Sequence, residues 1–156
     1  MNYSKVKLSK EEIQKLIKEA TEAAKNAFAP ETEFGVGAAI LTDNNEIYKG
    51  CNVQSVISGE GTCAERCAVH NAVVHGSYAY KAIAIVAPQS KEPIGPCGCC
   101  RQVIYEFAQI NHKDIIIIMA TPDRKKVELT SILEYLPGRR FGFEELGQAD
   151  LSKYRK

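Results

Sequence analysis

Cys63-Ala64-Glu65 is followed, further along the chain, by Pro96-Cys97-Gly98-Cys99-Cys100. The first motif sets a thiolate beside a carboxylate, and the second offers two thiolates, Cys97 and Cys100, at C-x-x-C spacing. Three soft sulfur ligands can hold a Zn²⁺ and leave its fourth tetrahedral position to water, while a nearby Glu that is not a ligand can move protons. A C-x-x-C alone is a weak signal; C-A-E joined to P-C-G-x-C is a specific one. The pattern predicts one zinc per chain on Cys63, Cys97 and Cys100, with Glu65 as the proton carrier. Cys67 keeps a second arrangement open. It follows Cys63 by one helical turn, and His70 follows by two, so either could approach a metal. A closed Cys63-Cys67-Cys97-Cys100 set would be structural zinc in a binding or scaffold protein, with no place for water. That arrangement leaves Glu65 without a purpose, and Cys67 otherwise reads as a small core residue.

These residues need elements that bring them to one point. Ser9-Lys10-Glu11-Glu12 has the capping-box pattern, and Ile13, Leu16, Ile17, Ala20, Ala23, Ala24 and Ala27 follow at helical spacing. A first helix is therefore predicted, ending near Pro30. Strands are predicted over 36–42 and 46–52, around a hairpin turn at Asp43-Asn44-Asn45. A helix over 62–75, stopped by Gly76, precedes a buried strand over 81–87. A second core helix is predicted over 97–108, then a strand over 114–120 and a turn at 121–124. A short strand near Val127 and Leu129 and a helical turn over 131–136 close the pattern. Strands after Gly76 alternate with helices, which predicts parallel pairing with helices on both faces. The expected fold is α/β, a three-layer α/β/α sandwich with a mixed five-stranded sheet. Cys63 and Cys97 each fall at a predicted helix start, where a partial positive charge of about half a unit offsets thiolate charge.

With 156 residues, a net charge of +1 and 25% charged residues, the chain reads as one domain over 1–156 without a basic groove for nucleic acid. No apolar run approaches the roughly 20 residues that span a bilayer, and Met1-Asn2-Tyr3-Ser4-Lys5 is no signal peptide. Neither a nucleic-acid nor a membrane partner is expected. Six cysteines without a secretory signal imply a reducing, cytoplasmic setting with all six thiols reduced. Cys51 reads as strand core, and Cys99 as the variable position of P-C-G-x-C. Lys5, Lys7, Lys10 and the tail of Lys153, Arg155 and Lys156 are expected as solvated ends. His70, His75 and His112 are expected on helix surfaces or in packing.

The chain resembles the cytidine deaminase family in its small, homotetrameric, zinc-dependent form, a branch that also contains blasticidin S deaminases. The likeness is carried by Phe34-Gly35-Val36-Gly37-Ala38-Ala39, Gly50-Cys51-Asn52-Val53, Thr62-Cys63-Ala64-Glu65-Arg66, Pro96 to Gln102, and Leu136-Pro137-Gly138 with Phe141. It implies the cytidine deaminase-like fold, with both metal-bearing helices presenting their N-termini to the zinc. It further implies hydrolytic deamination of free cytidine or deoxycytidine to the uracil nucleoside and ammonia, in pyrimidine salvage. Glu65 would take a proton from water, deliver it to N3 of the pyrimidine, and later protonate the departing amine. Arg66 would donate hydrogen bonds to thiolate sulfur, and Gln102 would have an orienting role. Phe34 and Ala64 would contact the base, Asn52 and Gln54 the ribose, and Phe141 the base of a neighbouring subunit. Arg101 reads equally as a surface charge or a functional one.

Two departures fall on the sugar side. The family's Asn-x-Glu reads Asn52-Val53-Gln54 here, and a Tyr a few residues on is replaced by Ser58. Arg139-Arg140 also makes the approach to Phe141 one residue longer than the resemblance implies. A different 4-aminopyrimidine nucleoside, such as blasticidin S, is therefore the alternative substrate.

Overall fold

The computed structural model describes residues 3–147 and 150–155. Helix α1 (Lys10–Ala24) opens on Ser9, whose hydroxyl accepts from the Glu12 N–H while the Glu12 carboxylate accepts from the Ser9 N–H. Two donors that a helix start leaves unpaired are thereby satisfied. The helix stops well short of Pro30 because the chain after it is drawn into long-range pairing. The Phe28 N–H donates to the Asn52 carbonyl, and Phe28 forms a β-bridge with Val53.

Strands β1 (Gly37–Thr42) and β2 (Ile47–Cys51) make the expected antiparallel hairpin, with Asn45 left-handed at φ 63°. There follow α2 (Ala64–Val74), β3 (Tyr80–Val86), α3 (Gly98–Asn111), β4 (Ile116–Ala120) and β5 (Val127–Ser131). The sheet order is β2-β1-β3-β4-β5, with β3 antiparallel to β1 and parallel to β4. Strand β5 departs from the parallel pairing expected after Gly76, since it runs antiparallel to β4. Only a tight turn joins them, too short for the crossover that a parallel pair requires. The Thr121 hydroxyl donates to the Asp123 carboxylate at 2.7 Å within that turn.

The period of two along the strands divides the core. Ala39, Leu41, Ala82, Ala84, Val86 and Ile118 face Leu16, Ile17 and Ala20 of α1. Ala38, Ile40, Ile83, Ile85, Ile117 and Met119 face α2 and α3. The chain is thus a three-layer α/β/α sandwich on a mixed five-stranded sheet. Each fully buried isoleucine of β3 and β4 contributes roughly 1.5–3 kcal/mol, so this parallel pair firmly anchors the connections on which α2 and α3 hang.

Beyond β5, α4 (Ile132–Tyr135) has its own capping box between Ser131 and Glu134. A one-turn helix α5 (Phe143–Leu146) and a 3₁₀ turn at Ser152–Tyr154 were not expected from the sequence. Lys153 and Arg155 are exposed as expected, but the tail that carries them folds back on the domain. Leu151 is buried, Arg155 Nε donates to the Ile110 carbonyl at 2.6 Å, and Tyr154 meets Tyr78 edge-on at 5.0 Å. Lys156 lies outside the described residues. Among the described residues no helix is long and apolar enough to cross a membrane. All six cysteines are free thiols.

Candidate active site

Helices α2 and α3 bring the two motifs together. Cys63 is the N-cap of α2 (φ −69°, ψ 154°) and Cys97 the N-cap of α3 (φ −66°, ψ 169°). Cys100 lies one turn into α3 and is fully buried. The three sulfurs lie within 4.8 Å of one another, with Cys63 Sγ and Cys97 Sγ 3.9 Å apart. Sulfurs around a tetrahedral Zn²⁺, each at about 2.3 Å from it, stand about 3.8 Å from one another. The spacing therefore fits one zinc ion. Cys67 is not part of this cluster; it is half-buried further along α2, with Cys51 nearby.

Gly50 on β2 sets the depth at which α2 docks. A Cβ there would stand 2.3 Å from the Ala68 nitrogen and 2.5 Å from the Ala64 carbonyl oxygen. Only glycine permits a backbone approach this close, and Ala64 is the residue between Cys63 and Glu65. Gly37 does the same for α1, where a Cβ would fall 1.9 Å from the Ala20 carbonyl oxygen.

Burial pushes the Cys63 and Cys100 thiols up, and the Glu65 charge adds to the effect. Cys97 goes the other way: against its own desolvation, hydrogen bonds from the Cys100 and Cys99 N–H groups hold it below the ordinary thiol value. Sulfurs that burial disfavours as anions are stabilised together by a divalent cation, and an all-thiolate set suits zinc. Arg66 sits beside them. Desolvation opposes its charge, but the Cys63 sulfur keeps the guanidinium strongly basic. Its Nη2 donates to the Gly61 carbonyl at 3.1 Å, and its buried Nε has no hydrogen-bond partner among the described residues.

Glu65 is 5% exposed, in the first turn of α2. Burial raises its carboxyl above the ordinary carboxylate range, against hydrogen bonds from its own N–H and from Cys100. A carboxyl so placed can exchange protons with a molecule bound over the sulfurs. Arg101 turns away from the sulfurs. Its Nε donates to the Pro96 carbonyl at 2.8 Å and its guanidinium stacks over Tyr135, 4.4 Å from the ring centroid. It braces the loop that enters α3.

Phe34, Asn52 and Gln54 are joined in one network. Asn52 Nδ2 donates to the Phe34 carbonyl at 2.9 Å, and its Oδ1 accepts from the Val36 N–H at 2.8 Å. Gln54 Oε1 accepts from the Glu31 N–H at 3.0 Å, and its Nε2 donates to Thr32 Oγ1 at 2.7 Å. Thr32 Oγ1 in turn accepts from the Phe34 N–H at 3.1 Å. Both amides thus shape the loop that carries Phe34, each with one N–H and one lone pair still to offer. Gln102 and Phe141 are joined in a second network, where Gln102 Nε2 donates to the Phe141 carbonyl at 2.8 Å. A cavity of about 480 Å³ between Val73, Phe107, Ile110, Phe143, Leu151 and Tyr154 shares no residue with the sulfur cluster.

Three residues of this region were given no role by the sequence reading. Gly50 carried a signal, since a glycine inside a strand pattern marks close backbone approach. Gln109, buried seven residues after Gln102, repeats its residue type on the same side of α3. Thr32 carried none, being one polar residue in a polar loop.

Residues 10–119 match the family described as the cytidine and deoxycytidylate deaminase zinc-binding region. Over 138 residues the chain is 38% identical to a cytidine deaminase of Sporosarcina psychrophila, covering 88% of this chain and 97% of that one. The crystal structure of a Burkholderia pseudomallei cytidine deaminase superposes with a TM-score of 0.69 at 35% identity, over 76% of this chain and 91% of that one. That of Mycobacterium leprae cytidine deaminase gives 0.66 at 27% identity, over 80% and 97%. By sequence, by fold and by the sulfurs gathered at two helix N-termini, the chain belongs to the zinc-binding cytidine and deoxycytidylate deaminase family, hydrolases acting on carbon–nitrogen bonds.

Proposed function

We propose that this chain, as one domain over 1–156, deaminates a free cytosine nucleoside hydrolytically. Cytidine or deoxycytidine would give uridine or deoxyuridine and ammonia, in cytoplasmic pyrimidine salvage. The observation that carries this reading is the convergence of Cys63, Cys97 and Cys100 beside the buried Glu65. The names of the relatives support the nucleoside.

Cys63, Cys97 and Cys100 would hold the zinc, whose Lewis acidity makes water a usable nucleophile near neutral pH. Glu65 moves the protons. It takes one from the attacking water, places it on N3 so that C4 becomes more electrophilic, and delivers a proton to the exocyclic amine, which leaves as ammonia. Arg66 balances the charge on sulfur. Phe34, held by Asn52, and Ala64 line the base, while Asn52 and Gln54 direct their remaining hydrogen-bonding capacity to the sugar. Gln102 orients Phe141 by its carbonyl. Phe141, 63% exposed in the single chain, closes over the base of a neighbouring subunit in a homotetramer. A near-neutral net charge favours a small substrate over a polynucleotide.

Gln54 supports a second reading. Where the resemblance implies a carboxylate on the ribose, the structure has a neutral amide committed to Glu31 and Thr32. That suits a 4-aminopyrimidine nucleoside with a different sugar, such as blasticidin S. Ammonia release from the zinc-loaded protein, across a panel of aminopyrimidine and aminopurine nucleosides, decides between them. Turnover of cytidine and deoxycytidine supports the first reading, and turnover of blasticidin S alone the second. No ammonia from any member would overturn the deaminase reading.

A further inference from the structure

Helix α3 carries a polar stripe. Gln102, Tyr105 and Gln109 recur at steps of three and four residues, which aligns their side chains along one side of a helix, and His112 follows as the left-handed cap of its C-terminal end. The segment 141–145 lies along this stripe. Gln102 holds the Phe141 carbonyl at 2.8 Å. Gln109 Oε1 accepts from the Phe143 N–H at 2.8 Å, and its Nε2 donates to Glu145 at 3.0 Å and to the Tyr105 hydroxyl at 3.2 Å. His112 stands 3.2 Å from the Glu144 carboxylate.

Gln109 is fully buried, at 0% exposure. A buried amide is costly unless bonded, and outside α3 its hydrogen bonds among the described residues go to 143–145. Gly142 is shaped to it, since a Cβ there would fall 2.2 Å from Gln109 Oε1. Phe141 therefore directly precedes a stretch of backbone anchored at two points, its own carbonyl and the Phe143 N–H, with Gly142 between them. Its ring is 63% exposed, whereas Phe143 lines the cavity against α3.

We propose that Gln109 is a positioning residue for the substrate. Together with Gly142 it fixes the backbone after Phe141, so that the aromatic ring is presented in a set place before the nucleoside arrives. The inference rests on the reading of Phe141 as a substrate contact. A ring placed in advance loses less freedom on binding, so the latch acts on affinity and leaves the chemical step alone.

Steady-state kinetics of the zinc-loaded protein test this with Phe141→Ala, Gln109→Met, Gly142→Ala and the Gln109→Met/Phe141→Ala double variant. Gln109→Met keeps the side chain's length and removes its hydrogen bonds. It should raise KM by about three- to tenfold, with kcat within about twofold and zinc content unchanged. Gly142→Ala, which drives Gln109 off the Phe143 N–H, should move KM in the same direction. In the Phe141→Ala background Gln109→Met should add nothing to KM, because the ring it positions is gone. A wild-type KM for Phe141→Ala would overturn the reading of Phe141 and, with it, this role. If Phe141→Ala raises KM while Gln109→Met and Gly142→Ala do not, the latch alone is overturned. A Gln109→Met protein that loses only thermal stability, or that raises KM equally without Phe141, overturns it as well. Should Gln109→Met fail to fold, Gly142→Ala with and without Phe141 makes the same comparison.

Discussion

Gly50→Ala tests whether the separation of β2 and α2 sets the metal site. The added Cβ would stand 2.3 Å from the Ala68 nitrogen and 2.5 Å from the Ala64 carbonyl oxygen, both backbone atoms of α2. Since real Cβ atoms essentially never come within 3.0 Å of such neighbours, the helix must retreat by at least about 0.7 Å, against a tolerance of about 0.2 Å in metal–ligand distances. Cys63 and Glu65 ride on the retreating turn; Cys97 and Cys100, on α3, do not. Overpacking of this kind costs about 1–3 kcal/mol, which a domain stable by roughly 5–15 kcal/mol survives. The site fares worse. Zinc affinity should fall by tenfold or more, and turnover at saturating zinc by about 10², the scale of a 1 Å misplacement. Competition for zinc against a chromogenic chelator, ammonia release and a thermal melt give the three readouts. A folded Gly50→Ala protein with wild-type zinc affinity and turnover would refute the reasoning, whatever its melting temperature.

Glu65→Ala should keep one zinc per chain and lose about 10²–10⁴ in turnover, the scale of general acid–base catalysis. A variant that retains most of the wild-type turnover rules out its proton-carrying role. Gln54→Glu leaves an acceptor for the Glu31 N–H, and the Thr32 hydroxyl can donate to the new carboxylate. A charged acceptor on a ribose hydroxyl gains on the order of 1 kcal/mol, roughly five- to tenfold, so kcat/KM for cytidine should hold or rise. A clear fall in folded, zinc-loaded protein would show that Gln54 does not face the sugar.

What was legible in the sequence was what short-range physics decides. The Ser9 and Glu12 capping box starts α1, Asn45 turns the first hairpin, and both motif helices begin on the cysteines that the spacing marked. C-x-x-C on a helix start places Cys97 and Cys100 one turn apart, so only the approach of Cys63 depended on the fold. The rest was settled by partners distant in sequence. Helix α1 ends at Ala24 because Phe28 pairs with Asn52 and Val53. The tail folds back because Arg155 finds the Ile110 carbonyl at the end of α3. Around the site, Asn52 and Gln54 read as sugar ligands, yet the structure spends part of each amide on the Phe34 loop. No local pattern announces that division.

Sulfurs 3.9 Å apart are as convenient to an oxidant as to a metal. Cys97 is exposed and Cys63 only half-buried. Peroxide can take two electrons and two protons from this pair, leaving as water, once the sulfurs close to about 2.05 Å. The disulfide so formed would remove two of the three ligands at a stroke. Coordination occupies the same sulfur electrons, so the ion would have a second duty as a guard, and the chain would be most vulnerable between synthesis and metal loading. Peroxide should therefore block later zinc uptake by the zinc-free protein, reversibly with dithiothreitol, and leave the loaded protein active. Equal sensitivity of the two forms would remove that duty.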